Sequence, residues 1–410
     1  MPPTRLSKAT LAQVGAFVQS LGEGCAKPSQ KFLRGMMLGL MMSGSVMLSE
    51  VARKLHGLRT ITFHALHKGL CRGLKSRGWS ALPMQERYLQ QVRPSIPSNA
   101  LVAFDLGDVT KPRARKMPGL RTVMDGSEGD LKKGWLLVEV EAVFGKKGQH
   151  VPLWLELFSV GRRGYKSQRA MVEMAITTIV RNLGKLGLWV FDRGFDSWEF
   201  FEFLGKVGLK FLVRVEGKRL VRDLSDGEQR SLVAMTQRLP ACASLLWGRR
   251  HKGTGYLIRV GFGALLIPQS GQMLWVIVAR GFGHKPMLLL TNQPITHGSD
   301  AVRMVRDYLK RWSVEEAGRF VKQAFNLEDL RVLTWPGLVK LVWLVLWTYG
   351  LLCLIRIKAK RQFADLLKHY PAFGPVPRYP YYRAAAALAW LLLVGALTDP
   401  VPYAEVWESG

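Results

Sequence analysis

The chain has 410 residues, 48% of them apolar; that is enough for a sizeable core and two or three domains, and it excludes a disordered chain. Lys and Arg outnumber Asp and Glu by 59 to 30, a formal charge of +29, so a polyanionic partner is expected, although a ribosomal or membrane-surface protein could share this charge. Cys25, Cys71, Cys242 and Cys353 show no Cys-x-x-Cys or Cys/His ligand spacing, which argues against a zinc site and a disulfide framework and fits a reducing cytoplasm.

The opening stretch, MPPTRLSKATLAQVGAF, has no uninterrupted apolar segment of signal-peptide type. Residues 1–95 hold 14 Lys or Arg against three acidic residues, so the positive charge is concentrated there. Within them, MLSEVARKL and ITFHALHKGL read as two short helices joined by HGLRT, with Gly57 for the turn and Thr60 for the N-cap. The pair resembles a helix-turn-helix. Arg59, Thr62, His64, His67 and Lys68 are then available to phosphate or base edges; the glycine sits one place later than in the usual pattern, so a plain helical hairpin stays open. Pro83, Pro94 and Pro97 mark a linker or short helix, and a domain boundary near residue 97 follows.

Leu101 to Leu106 reads as an apolar strand with Asp105 inside it. A carboxylate there is expensive to bury; a metal ion would justify it, and so would backbone donors at a strand end. Asp108 is the competing candidate, whereas Asp125 and Asp130 read as solvated turn residues in a Gly-rich loop. Trp135–Phe144 and Val151–Phe158 read as strands joined at GKKGQ, with two lysines at the tip. Ser167 to Leu183 has helical spacing with Ser167 as cap. Leu188–Phe191 is a fully apolar strand ending at Asp192, and a helix crossing before it implies a parallel, buried strand; an ordinary strand-to-helix turn on Gly194 is the plain alternative. Trp198–Gly205 reads as a helix and Lys210–Val215 as a strand.

The long segment before residue 300 exceeds any ordinary loop and requires an inserted unit. GYLIRVGF, MLWVIVAR and PMLLLTN make that insertion mainly β. Its Trp247 and Trp275 are candidates for stacking on an extruded base or, as buried tryptophans, for the core.

Tyr308 to Lys322, YLKRWSVEEAGRFVK, is the most informative stretch. At roughly 100° per residue, Tyr308, Arg311, Glu315 and Lys322 fall within about 60° of one another on one helix. Such a stripe could bind a divalent metal with its carboxylate and phosphate with its cations; Arg and Glu four apart also form ordinary surface ion pairs. Val305, Leu309, Trp312 and Phe320 form an apolar arc into which Glu316 projects, so Glu315 is preferred over Glu316. Farther on, Leu341–Ile355 and Ala384–Leu397 are charge-free runs of 15 and 14 residues. Both are shorter than the ~20 residues of a membrane span and read as buried helices. RIKAKRQ and KHYPAFGPVPRYPYYR read as a basic, irregular surface for DNA or subunit contact.

The Tyr-x2-Arg-x3-Glu-x6-Lys spacing resembles the signature of bacterial insertion-sequence transposases, the DDE group of family-four type. GDVTKPRARKMPGLRTVMDGSEGDLKKGW after Asp105, the Asp-Arg-Gly-Phe at 192–195 and AFNLEDLRVLTW resemble the same family. The resemblance implies a ribonuclease-H-like α/β catalytic domain over residues 98–355 with a β-rich insertion at 216–295, preceded by a helical DNA-binding region, 1–97, and followed by a basic and apolar region, 356–410. It implies Asp105, Asp192 and Glu315 as catalytic metal ligands, with two Mg2+ or Mn2+ ions per site. Tyr308, Arg311, Lys322 and Arg193 are implied as DNA-phosphate contacts, beside Arg59, His64 and Lys68 in the N-terminal region. The expected activity is cut-and-paste transposition: cleavage at transposon ends, with a possible hairpin at the excised end, and strand transfer into target DNA. The implied partners are double-stranded DNA and a second copy of the chain in the synapsed state, in a bacterial cytoplasm and without a membrane. A metal-dependent nuclease without strand transfer, or a domesticated non-catalytic DNA binder, is the alternative.

Overall fold

The computed structural model describes residues 1–58, 61–126, 128–145, 148–248, 255–369 and 379–403. The chain starts with five helices, α1 (Pro3–Leu21), α2 (Lys27–Ser43), α3 (Leu48–His56), α4 (Phe63–Lys75) and α5 (Ala81–Val92). Strands β1 (Leu101–Thr110), β2 (Arg121–Met124), β3 (Leu131–Phe144) and β4 (Gln149–Phe158) follow, then α6 (Gln168–Leu183), β5 (Leu188–Phe191), α7 (Trp198–Val207) and β6 (Lys210–Val215). Next come β7 (Leu220–Asp223), β8 (Gln229–Ser231), α8 (Leu232–Arg238), β9 (Ala243–Trp247), β10 (Tyr256–Ile267), β11 (Gln272–Arg280) and β12 (Met287–Thr291). The chain continues with α9 (Gly298–Lys310), α10 (Trp312–Ala324), α11 (Trp335–Lys358), α12 (Lys360–His369) and α13 (Tyr381–Thr398). This mixed α/β chain forms two compact units. One comprises Met1–Pro97, Leu106–Gly184 and Glu315–Gly410; the other comprises Ser98–Asp105 and Lys185–Val314. Strand β1 contributes to both.

In the first unit β2 and β4 pair antiparallel with β3, which shifts register between Val140 and Glu141. Helix α11 is apolar on every side, and such a helix must be buried. Seventeen of its residues are buried, from Gly337 to Ile355, and Trp343 meets Trp154 of β4 edge-on at 4.9 Å between ring centroids. Each such large side chain contributes about 1.5–3 kcal/mol through burial. Of the linker or short helix expected around Pro83, the structure has the helix, α5. Gln85 of α5 is fully buried; it donates to the Leu153 carbonyl at 2.6 Å and accepts from Trp347 Nε1 at 2.9 Å. The backbone groups of β4 and the indole N–H of α11 are thereby satisfied inside the core.

Three expectations for this unit change. The N-cap of α4 is Thr62, whose hydroxyl accepts from Ala65 N at 3.3 Å; Thr60 and Arg59 lie outside the described residues, as do Lys146 and Lys147 of the β3–β4 turn. Asp125 is not a solvated turn residue. It is 4% exposed and accepts from Lys132 Nζ at 2.8 Å, because the β2–β3 hairpin brings the two together. The charge-free runs lie in helices longer than the runs themselves, α11 with 24 residues and α13 with 18. By length and composition both could cross a membrane; the most apolar window of α11 is 89% buried within the protein and that of α13 is 44% buried. RIKAKRQ is largely helical rather than irregular, ending α11 and starting α12, and residues 370–378 lie outside the described ones.

In the second unit the strand order is β1-β5-β6-β12-β11-β10-β7-β8, with β9 on β10. β1, β5 and β6 are parallel, with Val102 opposite Trp189 and Phe191 opposite Val213; the remaining pairs are antiparallel. Phe104, Phe195 and Phe200 gather on Phe191 at 4.8, 5.2 and 5.1 Å between centroids and fix where β5 ends. Gly187 permits β5 to start beside β1, since a Cβ there would lie 2.7 Å from the Asn99 backbone. Trp247 and Trp275 are each partly exposed rather than core tryptophans. Strands β7, β8 and β9 and helix α8 are short pieces whose periodicity the sequence does not declare.

Candidate active site

Parallel pairing of β1 with β5 carries Asp105 on β1 and Asp192 just beyond the end of β5. Ligand sites in parallel sheets form at such carboxyl ends of strands. Helix α9 and Arg311, the residue that ends it, supply partners to both aspartates. The start of α9 is fixed by a capping box in which His297 and Asp300 satisfy each other's backbone donors; those donors hold the Asp300 carboxyl below its usual range. Ala301, Val302, Met304, Val305, Tyr308 and Leu309 face the core, so Tyr308 enters the protein with the apolar stripe.

The Tyr308 hydroxyl donates to Asp192 Oδ1 at 3.0 Å. Burial first, and the Asp192 charge second, push its pKa up to about 12, so it remains a donor at neutral pH. Arg311 is 2% exposed. Its NH1 donates to Asp105 Oδ1 at 3.3 Å and its NH2 lies 4.0 Å from Asp192 Oδ2, while its Cζ stands 5.7 Å from the centroid of the Tyr308 ring. Arg214, on β6, is 3.9 Å from Asp192. The aspartate side chains are themselves 25% and 31% exposed. Two carboxylates thus converge on one guanidinium, with a second guanidinium and a phenol behind Asp192. Sequence reading did not single out Arg214, although it is the one charged residue among the apolar ones that follow Lys210 in the strand KFLVRV.

Tyr308 to Lys322 is not one helix. Arg311 N donates to the Tyr308 carbonyl at 2.9 Å and Val314 N to the Arg311 carbonyl at 2.8 Å; these three-residue steps tighten the backbone and separate α9 from α10 at Arg311. The wheel that placed four residues on one stripe therefore does not apply across the break. Trp312, expected in the apolar arc, is 45% exposed, while Val305, Leu309 and Phe320 are buried. Glu315 lies in the first turn of α10 and is exposed. Glu316 does not enter the apolar arc; it is partly exposed and pairs with Arg319 at 2.6 Å.

In the first unit, Lys322 reaches Asp108 at 3.4 Å, and Asp108, 6% exposed, also accepts from Gly126 N at 3.1 Å. Asp108 therefore has backbone and lysine partners that account for its burial. Glu139 of β3, 7% exposed, is a further buried carboxylate that sequence reading did not single out; its carboxylate lies against Gly107 and Gly318, where a Cβ would overlap it as placed. His64 and Lys68 are exposed on α4, and Arg193 is exposed on the turn after Asp192.

The donor set at the aspartate pair suits a hard divalent cation, because carboxylate oxygens favour magnesium or manganese over zinc, and a cationic group already stands where the two carboxylates converge. Among the described residues no three His, Cys, Asp or Glu side chains are grouped so as to hold a metal ion. Residues 147–351, half of the chain, match the family described as Transposase DDE domain. The chain belongs to that family. The matched part of this DDE transposase contains Asp192, Arg214, Tyr308, Arg311, Glu315 and Lys322, and Asp105 precedes it. No curated protein matches the chain. Among solved structures it is similar to a piggyBac transposase synaptic complex with hairpin DNA, with 10% identity and a TM-score of 0.46 over 100% of this chain and 84% of that one.

Proposed function

We propose that this DDE transposase is a metal-dependent enzyme of cut-and-paste type, with a ribonuclease-H-like catalytic domain and the family-four Tyr-Arg-Glu-Lys signature. The observation that carries the proposal is the convergence of Asp105 and Asp192, from adjacent parallel strands, on a single cationic position. The strand plan supports it: β1 runs parallel to β5 and β6, while β3 and β4 form an antiparallel hairpin.

In this reading Asp105, Asp192 and Glu315 hold two magnesium or manganese ions. When bound, these ions supply an activated nucleophile and stabilisation of the leaving oxygen in phosphodiester cleavage. Asp192 is kept in place by the Tyr308 hydroxyl and by Arg214. Arg311, Lys322 and Arg193 grip backbone phosphate of the transposon end, the arginines through their planar fork. Water cuts the end, and the freed 3′-hydroxyl then attacks target DNA. His64 and Lys68, exposed on α4, and Arg59 add phosphate contacts that position the duplex. Two copies of the chain synapse the ends, and the reaction takes place on DNA in the bacterial cytoplasm.

The test is strand cleavage and joining on a labelled fragment carrying the element's own end, with magnesium, for wild type and Glu315→Ala. Loss of both reactions with DNA binding kept is the expected result. Full activity of the variant removes Glu315 from the ligand set and points to Glu316; no wild-type activity on any end favours a domesticated binder.

A further inference from the structure

We infer that Arg311 is the resident counter-ion of the Asp105–Asp192 pair, that a divalent cation must displace it to bind there, and that DNA phosphate, by drawing Arg311 away, admits the metal. This rests on the proposed metal-binding role of the two aspartates.

The argument begins with space. Arg311 NH1 and NH2 lie 3.3 and 4.0 Å from one oxygen of each carboxylate, so one guanidinium bridges the oxygens that a shared metal ion would use. Oxygens that share one magnesium ion must each stand about 2.0–2.1 Å from it, which leaves no room for a guanidinium in between. Charge points the same way. A divalent ion placed beside a buried guanidinium would meet strong repulsion, whereas two carboxylates with no cation between them would repel each other. In the absence of metal and DNA, Arg311 therefore stays; with metal bound, it must leave.

The surroundings are built to survive that departure. Asp192 keeps the Tyr308 hydroxyl at 3.0 Å and Arg214 at 3.9 Å, so its carboxylate remains oriented without Arg311. A backbone phosphate presents paired oxygens that fit the guanidinium fork of Arg311. Metal and DNA then bind cooperatively, each tightening the other by the same factor. An enzyme away from DNA would hold metal poorly and leave water unactivated.

The experiment titrates Mn2+ into the full-length chain without DNA, reading free aqua-Mn2+ by electron paramagnetic resonance. Wild type, Arg311→Gln, Arg311→Lys, Asp105→Asn and Asp192→Asn are compared, with folding checked by circular dichroism. Arg311→Gln is expected to bind Mn2+ about tenfold more tightly than wild type, Arg311→Lys to gain less, and both aspartate variants to bind more weakly. A short duplex of arbitrary sequence, after subtraction of its own Mn2+ binding, is expected to tighten wild type and leave Arg311→Gln unchanged. If Arg311→Gln binds no more tightly while the aspartate variants bind more weakly, displacement is wrong and the metal-binding reading stands. If the aspartate variants bind as wild type does, that reading fails and the displacement fails with it. Should Arg311→Gln not fold, Arg311→Lys decides by the same comparison, and no gain in affinity overturns the inference.

Discussion

Glu156 provides a pH-dependent test of the first unit's core. It lies on β4 with Trp154 Nε1 donating to its Oε2 at 3.0 Å, and burial raises its pKa from 4.5 to about 7, against a smaller lowering by the indole. A carboxyl whose folded pKa is raised binds protons more readily in the folded state. Its stabilising contribution is complete below pH 4.5, the unfolded value, and is lost as pH rises through about 7. At about 1.4 kcal/mol per pKa unit the interval corresponds to roughly 3 kcal/mol, an upper bound because water reaches part of the side chain. Glu156→Gln keeps an oxygen acceptor for the indole and cannot ionise. It is therefore expected to stabilise the chain by about 1–3 kcal/mol above neutrality and by little at pH 4.5. Urea unfolding of both proteins across that range, with equal m-values, measures the gap. A gap independent of pH would refute the reasoning and place the Glu156 carboxylate in water.

Three further outcomes are expected. Tyr308→Phe removes a donor to a partly exposed carboxylate and should cost about 1 kcal/mol in urea unfolding; because the hydroxyl titrates near 12 rather than its ordinary 10.0, the cost should be constant near neutrality and fade only as pH rises from 10 through about 12. Gly350→Ala would set a Cβ 2.6–2.7 Å from the Tyr88 ring carbons in the fully buried middle of α11, so a loss of about 1–3 kcal/mol is expected in thermal unfolding, and an unchanged midpoint would show that α11 can shift. Lys68→Ala should lower the slope of log affinity against log salt by about one for any duplex; an unchanged slope would remove Lys68 from the phosphate contacts.

The parts of the fold readable from the sequence were those fixed by local patterns. Alternation and apolar runs located β1, β3 to β6 and β10 to β12, and Ser167 caps α6 by accepting from Ala170 N at 3.0 Å. A helical crossing before Leu188 implied a parallel strand, which pairs with β1 and so brings Asp105 and Asp192 to neighbouring strands. What escaped depends on contacts between distant residues. Asp125 looks like a turn residue until the hairpin supplies Lys132, and Asp108 is paired by a lysine 214 positions away. The break at Arg311 has no Gly or Pro to announce it. At the break the Ser313 hydroxyl donates to the Lys310 carbonyl at 2.6 Å, and Arg311 is buried against two aspartates that the sequence places 206 and 119 residues earlier.

That break also changes what the spacing of Tyr308 and Arg311 means. On a continuous helix, residues three apart would merely share a face. Here Tyr308 and Arg311 both reach Asp192, at 3.0 and 4.0 Å, and Arg311 extends to Asp105. In the chain alone, the spacing builds a clamp on the carboxylates. Formal charge says what the clamp can become: Asp105 and Asp192 balance Arg311 and Arg214, so the four groups are neutral together. A divalent ion added there, even with the Glu315 carboxylate proposed as its third ligand, leaves positive charge in excess beside a buried guanidinium, which low local polarity penalises. Under the proposed function the nucleic-acid phosphates supply the missing negative charge, and Arg311 is the group able to carry its share of the excess to them. Charge balance alone thus predicts that metal affinity measured on this protein without DNA understates its affinity in the working complex.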